Sequence, residues 1–498
     1  MKKYYLFIYI ICLLVTTKAF PQLVQDFRVN SDVTNFSQSK SRIGSDLLGN
    51  FVIVWNDNRR NDSSDVYFQR YSFNGTILGN NTKINSQTIF AYDPEIVVKP
   101  NGNFFVIWNE KIGNSYFYRI KHFNKYGDSI STTNNFKDNN LNVIRNYKIA
   151  INTNGYLLIS WLEVNQNWAY SAIKYQKFDS AGTRIGNNIL VTDTTVNKDY
   201  NALSVRDDGS FIIAWSESNG SGAINILAQL FSAGGSPIGG RLQVNNNTGA
   251  FDSYTNPVVS SDSVGRFCIV FSYYNLGFNS RSVVYQLYNK DGVRKGDNTL
   301  YGNQGVERFN PNVKKLRNGN FILSYNNDLN GITYMLRADS SGNFIGNEFA
   351  VSSLFPFEEQ SFADFVFSNE RIITTWTDTR LGNRDIFGNI RSYNKPDSTV
   401  AIHNISSEIP SDYKLYQNYP NPFNPETNIM FDVNRSEDIK IIVYDLLGKE
   451  KIKLMEGNFT PGRYLIKYNF SAIGSGVYFY KLFIGGTSFE TKKLILLK

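Results

Sequence analysis

Five carboxylates occupy one repeated position. Asp57, Glu110, Glu163, Glu217 and Asp378 each stand two residues beyond a tryptophan: Trp55, Trp108, Trp161, Trp215 and Trp376. Side chains i and i+2 of an extended strand share a face, so each acid emerges beside its aromatic as the strand ends. Carboxylates gathered at a rim can hold a cation, bind sugar hydroxyls, or form an acid/base pair for hydrolysis. That last role needs two of them about 5–10 Å apart across a substrate. A catalytic pair is asymmetric, whereas an acid that recurs unit by unit is expected to be architectural, taking hydrogen bonds from loop amides or pairing with Arg59 or Arg380. The first and last units share a fuller pattern: Asp57-Asn58-Arg59 with Asp65-Val66-Tyr67, and Asp378-Thr379-Arg380 with Asp385-Ile386-Phe387. Asp57, Asp62, Asp65 and nearby asparagines are oxygen-rich enough to raise calcium, although their spacing is not that of an EF-hand loop. No other cofactor and no metal site is expected.

These acids ride on an internal repeat. A strand of the form Gly-x-Phe-x-x-x-Trp begins at Gly49, Gly102, Gly155, Gly209, Gly265 and Gly319, and a seventh runs from Glu370 to Trp376. Its anchoring aromatics are Trp55, Trp108, Trp161, Trp215, Phe271, Tyr325 and Trp376, at spacings of 53, 53, 54, 56, 54 and 51. After each comes a polar loop, a second strand such as Asp65–Tyr71, a tight turn such as Asn74-Gly75, a short strand such as Lys83–Asn85, and a strand leading into the next unit. Helical periodicity is absent. Four short strands in about fifty residues make one blade of a β-propeller, and blades must stack because one sheet cannot bury both faces. The seventh unit lacks its last short strand. Asp26-Phe27-Arg28-Val29-Asn30 matches Leu242–Asn245 and Phe349–Ser352, so the N-terminal strand is expected to complete the last blade and cover an open sheet edge.

Other chemistries are poorly provided for. His122 and His403 are the two histidines, too few for a histidine zinc site, and His122 sits in a strand between Lys121 and Phe123 rather than in a triad context. Asp207-Asp208-Gly209 reaches Trp215 after six residues, whereas the Asp-box hairpin of sialidase-like propellers places an aromatic three after its glycine. Cys268, in the apolar run Phe267–Phe271, reads as a small buried hydrophobe.

The C-terminal segment has another character. It opens Leu415-Tyr416-Gln417-Asn418-Tyr419-Pro420-Asn421-Pro422-Phe423-Asn424-Pro425, continues through Val443-Tyr444-Asp445-Leu446-Leu447-Gly448 and Ser475-Gly476-Val477-Tyr478-Phe479-Tyr480, and stops at Lys498. Its proline run is an extended lead-in, and Asn428–Asp432, Ile439–Tyr444, Tyr464–Tyr468, Val477–Phe483 and Phe489–Leu496 read as strands between glycine turns. These motifs resemble the C-terminal sorting domain of type IX secretion, the outer-membrane export route of Bacteroidota-like bacteria. The resemblance implies a small Ig-like antiparallel β-sandwich over 413–498, a partnership with the secretion machinery, and a cell-surface or extracellular destination reached through the periplasm. Lys2 and Lys3 before the apolar run Tyr4–Val15, with small residues at Thr17–Ala19, form a signal peptide over 1–19. No later run is long enough for a membrane span.

Removing Lys2, Lys3 and Lys18 takes the formal charge from +8 to about +5, and twelve Lys/Arg against eight Asp/Glu in 413–498 account for +4 of it. The body is nearly neutral, which excludes a nucleic-acid partner. The expected protein is therefore all-β: a seven-bladed propeller over 20–395, a linker over 396–412, and the sorting domain. The propeller is read as a binding or scaffold module for an extracellular polymer or protein, with a glycosidase- or peptidase-like hydrolase as the alternative.

Overall fold

A computed structural model describes residues 22–497 apart from 33–34, 61–63, 86–89, 114, 135–142, 166–170, 194, 221, 247–251, 276–279, 302–306, 328–330, 353–359, 394–400, 407–409, 425, 460 and 471–472. The signal peptide and three further expected site residues, Asp62, Pro425 and Lys498, lie outside these. Two compact units carry the fold, Leu23–Arg391 and Ser392–Lys498.

The first unit is a seven-bladed β-propeller of antiparallel four-stranded blades. Blade 1 is built of Gln38–Ser45, Phe51–Asp57, Asp65–Tyr71 and Ile77–Lys83, and the same plan repeats through blade 6, whose strands are Arg308–Lys315, Phe321–Asn327, Ile332–Ala338 and Phe344–Ala350. A single parallel bridge, Ile224 to Ser253, links the sheets of blades 4 and 5. The second strand of each blade is largely apolar up to its anchoring aromatic; every residue of Phe51–Asp57 is buried. Strands covered on both faces read as continuous hydrophobic runs, here because neighbouring blades cover them. The seven anchors are 0–2 % exposed. Trp55 packs in one cluster with Ile373 and Ile386 of blade 7, Trp108 with Val54 and Phe68 of blade 1, and Trp161 with Phe105 and Ile107 of blade 2. They are the filler between blades.

Blade 7 comprises Gln360–Ser368, Arg371–Asp378, Asp385–Ser392 and, as its outer strand, Gln22–Arg28. The Val29 amide donates to the Ile386 carbonyl, as those of Ile84, Val244 and Val351 donate to Val66, Ile226 and Thr333. The N-terminal strand thus takes the register of the outer strands of blades 1, 4 and 6, as expected.

The expected short strand at Lys83–Asn85 is longer than its sequence suggests. It spans Ile77–Lys83 and starts directly after the Gly75 turn. Its residues are mostly exposed, so no buried face writes an apolar alternation into it. A bulge separates its two paired stretches, and the buried Gln69 side chain clamps that bulge by donating to the carbonyls of Arg70, Leu78 and Gly79. Gln176, Gln229 and Gln286 repeat the clamp in blades 3, 4 and 5.

The second unit pairs two sheets face to face. One contains Ala401–Ser406, Gly462–Asn469, Glu426–Val433 and Lys414–Leu415; the other contains Glu450–Phe459, Glu437–Tyr444, Gly476–Ile484 and Thr487–Leu496. Leu415, Phe431, Ile441, Ile466, Tyr480 and Leu494 are among its core residues. Ala401–Ser406, expected within a linker over 396–412, instead pairs antiparallel with Gly462–Asn469. Its alternation is too short to announce a strand without the partner some sixty residues on. The propeller-to-sandwich connection therefore ends before 401.

Candidate functional site

The repeated carboxylates are held inside their own blades. The Trp55 indole N–H donates to Asp57 at 2.9 Å, Trp108 to Glu110 at 2.9 Å, Trp215 to Glu217 at 2.9 Å, Trp376 to Asp378 at 2.8 Å and Trp161 to Glu163 at 3.4 Å. A cation completes each pair. Arg59 and Arg380 come from the loops that follow Asp57 and Asp378. Arg119 and Lys174 come from the third strand, directly opposite Trp108 and Trp161, and reach Glu110 at 2.7 Å and Glu163 at 3.1 Å. Glu217 has Lys198 at 3.8 Å. Asp57 and Asp378 are fully buried, and a buried carboxylate is stable only when paired and hydrogen-bonded in this way. The arginine partners were legible in the sequence; the indole donors were not. In blade 6, where no acid follows Tyr325, Glu348 of the outer strand takes its place and accepts from the hydroxyls of Tyr325 and Tyr301.

The fuller pattern of the first and last blades forms the closure seam. Arg28 and Asn30 of the N-terminal strand hold Asp385 at 2.6 and 2.8 Å, as Lys83 and Asn85 hold Asp65 at 2.9 Å each. Asn30 also donates to Asp32, which lies 3.7 Å from Arg59. Arg380 reaches Asp26 of the closing strand at 3.1 Å. Asp57, Arg59, Asp32, Asn30, Asp385 and Arg28 are one network that stitches blade 1 to blade 7. Burial opposes ionisation of Asp65, but hydrogen bonds from Arg60, Lys83 and Asn85 outweigh it and hold its carboxyl below the ordinary range. Asp57 and Asp65 thus already face guanidinium or ammonium groups where a calcium ion would have to sit. Among the described residues, no three His, Cys, Asp or Glu side chains converge as a metal-binding group.

The first strands of the blades line the ring's centre, each broken by a bulge that in blades 1 to 6 holds a residue at positive φ, such as Lys40 (54°), Asp93 (55°) and Asn146 (46°). At one register position they carry Arg42, Glu95, Lys148, Ala202, Val258, Asn312 and Asp364. The charged members pair with their neighbours: Glu95 lies 3.3 Å from Arg42 and 2.7 Å from Lys148, and Asp364 accepts from Asn312 at 3.0 Å. Burial would raise the Glu95 carboxyl, yet Lys148 and Arg42 hold it below the ordinary range.

His122 is buried with its Nε2 3.2 Å from Lys99 Nζ and its ring stacked on Phe105 at 4.2 Å. Its neighbours are an ammonium and a phenyl ring, the surroundings of a packed residue. Cys268 is buried, and burial pushes its thiol up to about 12, far from a reactive thiolate.

In the sandwich, the expected sorting residues act as a lace. The Asn418 amide donates to the Tyr480 hydroxyl at 2.7 Å, which in turn donates to the Tyr416 carbonyl. The Asn418 side chain donates to Pro420 O and Thr427 Oγ1, and Pro420 and Pro422 both follow cis peptide bonds. Asn421 donates to Lys493 O and accepts from the Ile495 amide. Phe423 is buried and exchanges backbone hydrogen bonds with Ile495 and Leu497. Gly448 takes φ +76° in the turn that opens at Asp445, and Gly476 begins the strand that carries Tyr480. Tyr419 and Asn424 remain exposed, as do Leu446 and Leu447 at the turn tip. No described helix is long and apolar enough to cross a membrane.

No curated protein matches the chain. Solved structures to which it is similar include a protein of unknown function from Dyadobacter fermentans, with a TM-score of 0.45 and 11 % identity over 74 % of this chain and 98 % of that one. An α-L-arabinofuranosidase from Fusarium graminearum gives a TM-score of 0.45 and 11 % identity over 61 % and 93 %. An α-L-arabinanase from Penicillium chrysogenum, solved with arabinobiose, gives 0.43 and 14 % over 61 % and 93 %. Identities this low assign no activity. The second unit is different: residues 417–497 match the family described as the secretion system C-terminal sorting domain. The unit whose Asn418–Phe423 lace ties it shut is the sorting domain of a type IX secretion substrate, and it marks this chain for the cell surface or the extracellular space.

Proposed function

We propose that the chain is an exported binding protein, in which the propeller engages an extracellular polymer or protein and the sandwich is its address. The observation that carries this reading is the condition of the repeated carboxylates. Each is held by an indole of its own blade and faces a cation. Oxygens already engaged in this way are not free to reach a substrate's reacting atoms. Residues 1–19 would take the chain into the periplasm and the sorting domain would then carry it across the outer membrane.

The test sets the mature protein on glycan and extracellular-protein arrays beside a broad glycosidase and peptidase assay. Binding without turnover is the expected result. Turnover that disappears in Glu95→Gln or Asp364→Asn would replace this reading with the hydrolase.

A further inference from the structure

We propose that the cleft between blades 3 and 4, on the face of the propeller opposite the repeated carboxylates, takes one neutral sugar residue of an extracellular polysaccharide. This rests on the binding reading above and gives it a place.

The cleft lies where one interface combines two short side chains with a tyrosine that departs from the repeat. In two blades the residue that follows the inner strand reaches across to the next blade. Lys99 of blade 2 does so, donating to the Ser180 carbonyl of blade 3 and lying 4.7 Å from the Phe105 ring centre. Arg206 of blade 4 does so over Phe267 of blade 5 at 5.5 Å. Blade 3 has the short Asn152 there, whose amide oxygen turns back to accept from the Tyr156 amide at 2.9 Å, as Asp46 and Asp262 turn back onto the Asn50 and Arg266 amides in blades 1 and 5. Opposite it, blade 4 carries the small Ala233 where blades 2 and 5 have Lys125 and Lys290 and blades 3 and 6 have Ser180 and Ser340. A half-open cavity of about 240 Å³ remains. Directly after the turn glycine, blades 1, 2, 4, 5 and 6 place Asn50, Asn103, Ser210, Arg266 and Asn320, whereas blade 3 places Tyr156. In a ring built of equivalent interfaces, an aromatic found at one rim beside an open cavity marks a site rather than a structural need.

The lining suits a sugar ring. Leu158, Phe178 and Phe211 give an apolar floor, and the half-exposed Tyr156 offers an aromatic face at the rim. Asn154, Asp208 and Lys177 supply polar groups around it. Lys177 is steadied by the Ala233 and Gly234 carbonyls at 3.1 and 3.0 Å, and Asp208 by the Ser210 amide at 2.8 Å. A saccharide has a C–H face that packs on an aromatic ring and a hydroxyl edge that pairs with carboxylate, amide and ammonium. One carboxylate and one ammonium cancel, which favours a neutral ligand over an acidic one. Drug-sized ligands occupy pockets of about 300–1,000 Å³, so this cavity accommodates one ring of a chain that continues into solvent.

The experiment uses the mature full chain and an array of neutral and acidic oligosaccharides, followed by calorimetric titration of the best binder. Three variants are compared: Tyr156→Ala, Asp208→Asn, and Ala233→Lys, which fills the cleft from an exposed turn. A neutral oligosaccharide should bind the wild type, and each variant should lose about tenfold or more in affinity with an unchanged thermal midpoint. Wild-type affinity in all three would overturn the cleft while leaving the binding reading intact. Selection of acidic oligosaccharides alone would overturn the neutral assignment. Absence of any glycan or protein ligand for the wild type would overturn the parent reading and this one together.

Discussion

The propeller and the sandwich close themselves by opposite means. The propeller repeats itself: seven aromatics stand between blades, and five of them hold an acid that a cation faces. The sandwich says each thing once, with Asn418, Asn421 and Tyr480 each making bonds that nothing else in the domain repeats. In a repeat, what recurs is architecture and what deviates carries information. In a single-copy domain every motif residue carries information, so the sorting family was legible from one string of residues, while the propeller's ligand was not.

The sharpest way to break this comparison is to open the ring. Deleting residues 22–32 removes the outer strand of blade 7 and the closure network. The propeller's calorimetric transition should vanish while a separate sandwich transition persists; an unchanged propeller transition would mean that the N-terminal strand is decoration. The converse cut, a stop after Tyr393, should leave the propeller's midpoint unchanged and the protein stranded in the periplasm. Cell fractionation reads the outcome, and normal appearance outside the cell would mean that the sandwich is not the address.

Within the repeat, Trp161→Ala should cost about 3–5 kcal/mol, since it leaves a cavity between blades 2 and 3. Denaturant titration measures this, and a loss under about 1 kcal/mol would show that the neighbouring blades relax into the gap. Within the sandwich, Asn418→Ala should cost about 1–3 kcal/mol by orphaning buried donors and acceptors, and export efficiency should fall with it.

The smallest expected effect concerns pH. Burial, with Lys99 beside it, pushes the His122 pKa from 6.5 down to about 4. The unfolded chain therefore binds a proton that the folded blade refuses between those values. The stability this contributes is full above about 6.5 and is lost as pH falls towards 4. His122→Phe should flatten part of that slope for the propeller transition and leave the sandwich unaffected. Identical slopes in both proteins would rule His122 out as the source.

What could be read ahead of the structure follows burial. The seven second strands, rich in apolar residues and buried on both faces, announced themselves at regular spacing, and Val29 and Asn30 announced the closing strand because they match buried positions elsewhere. Ile77–Lys83 did not, because it is exposed. Glu450–Phe459, alternating charged residues with Ile452, Leu454 and Gly457, was also missed; its composition resembles a solvated loop more than a strand. The acids at 57, 110, 163, 217 and 378 were found, but not the indoles that hold them. A hydrogen bond from i to i+2 along a strand leaves no periodic trace beyond the pair itself. Glu348 was missed for a further reason: it serves an aromatic 23 residues before it, from another strand.

The closing strand also sets a timetable. Arg28 and Asp385 are 357 residues apart in sequence, and they meet only when the whole ring is present. Joining ends across a longer loop adds only about 0.6 kcal/mol per doubling of its length, so the burden falls on rate more than on equilibrium. A chain that enters a compartment amino-end first must hold six completed blades open-edged until the seventh follows. The strand that arrives earliest is the one that waits longest for its partner.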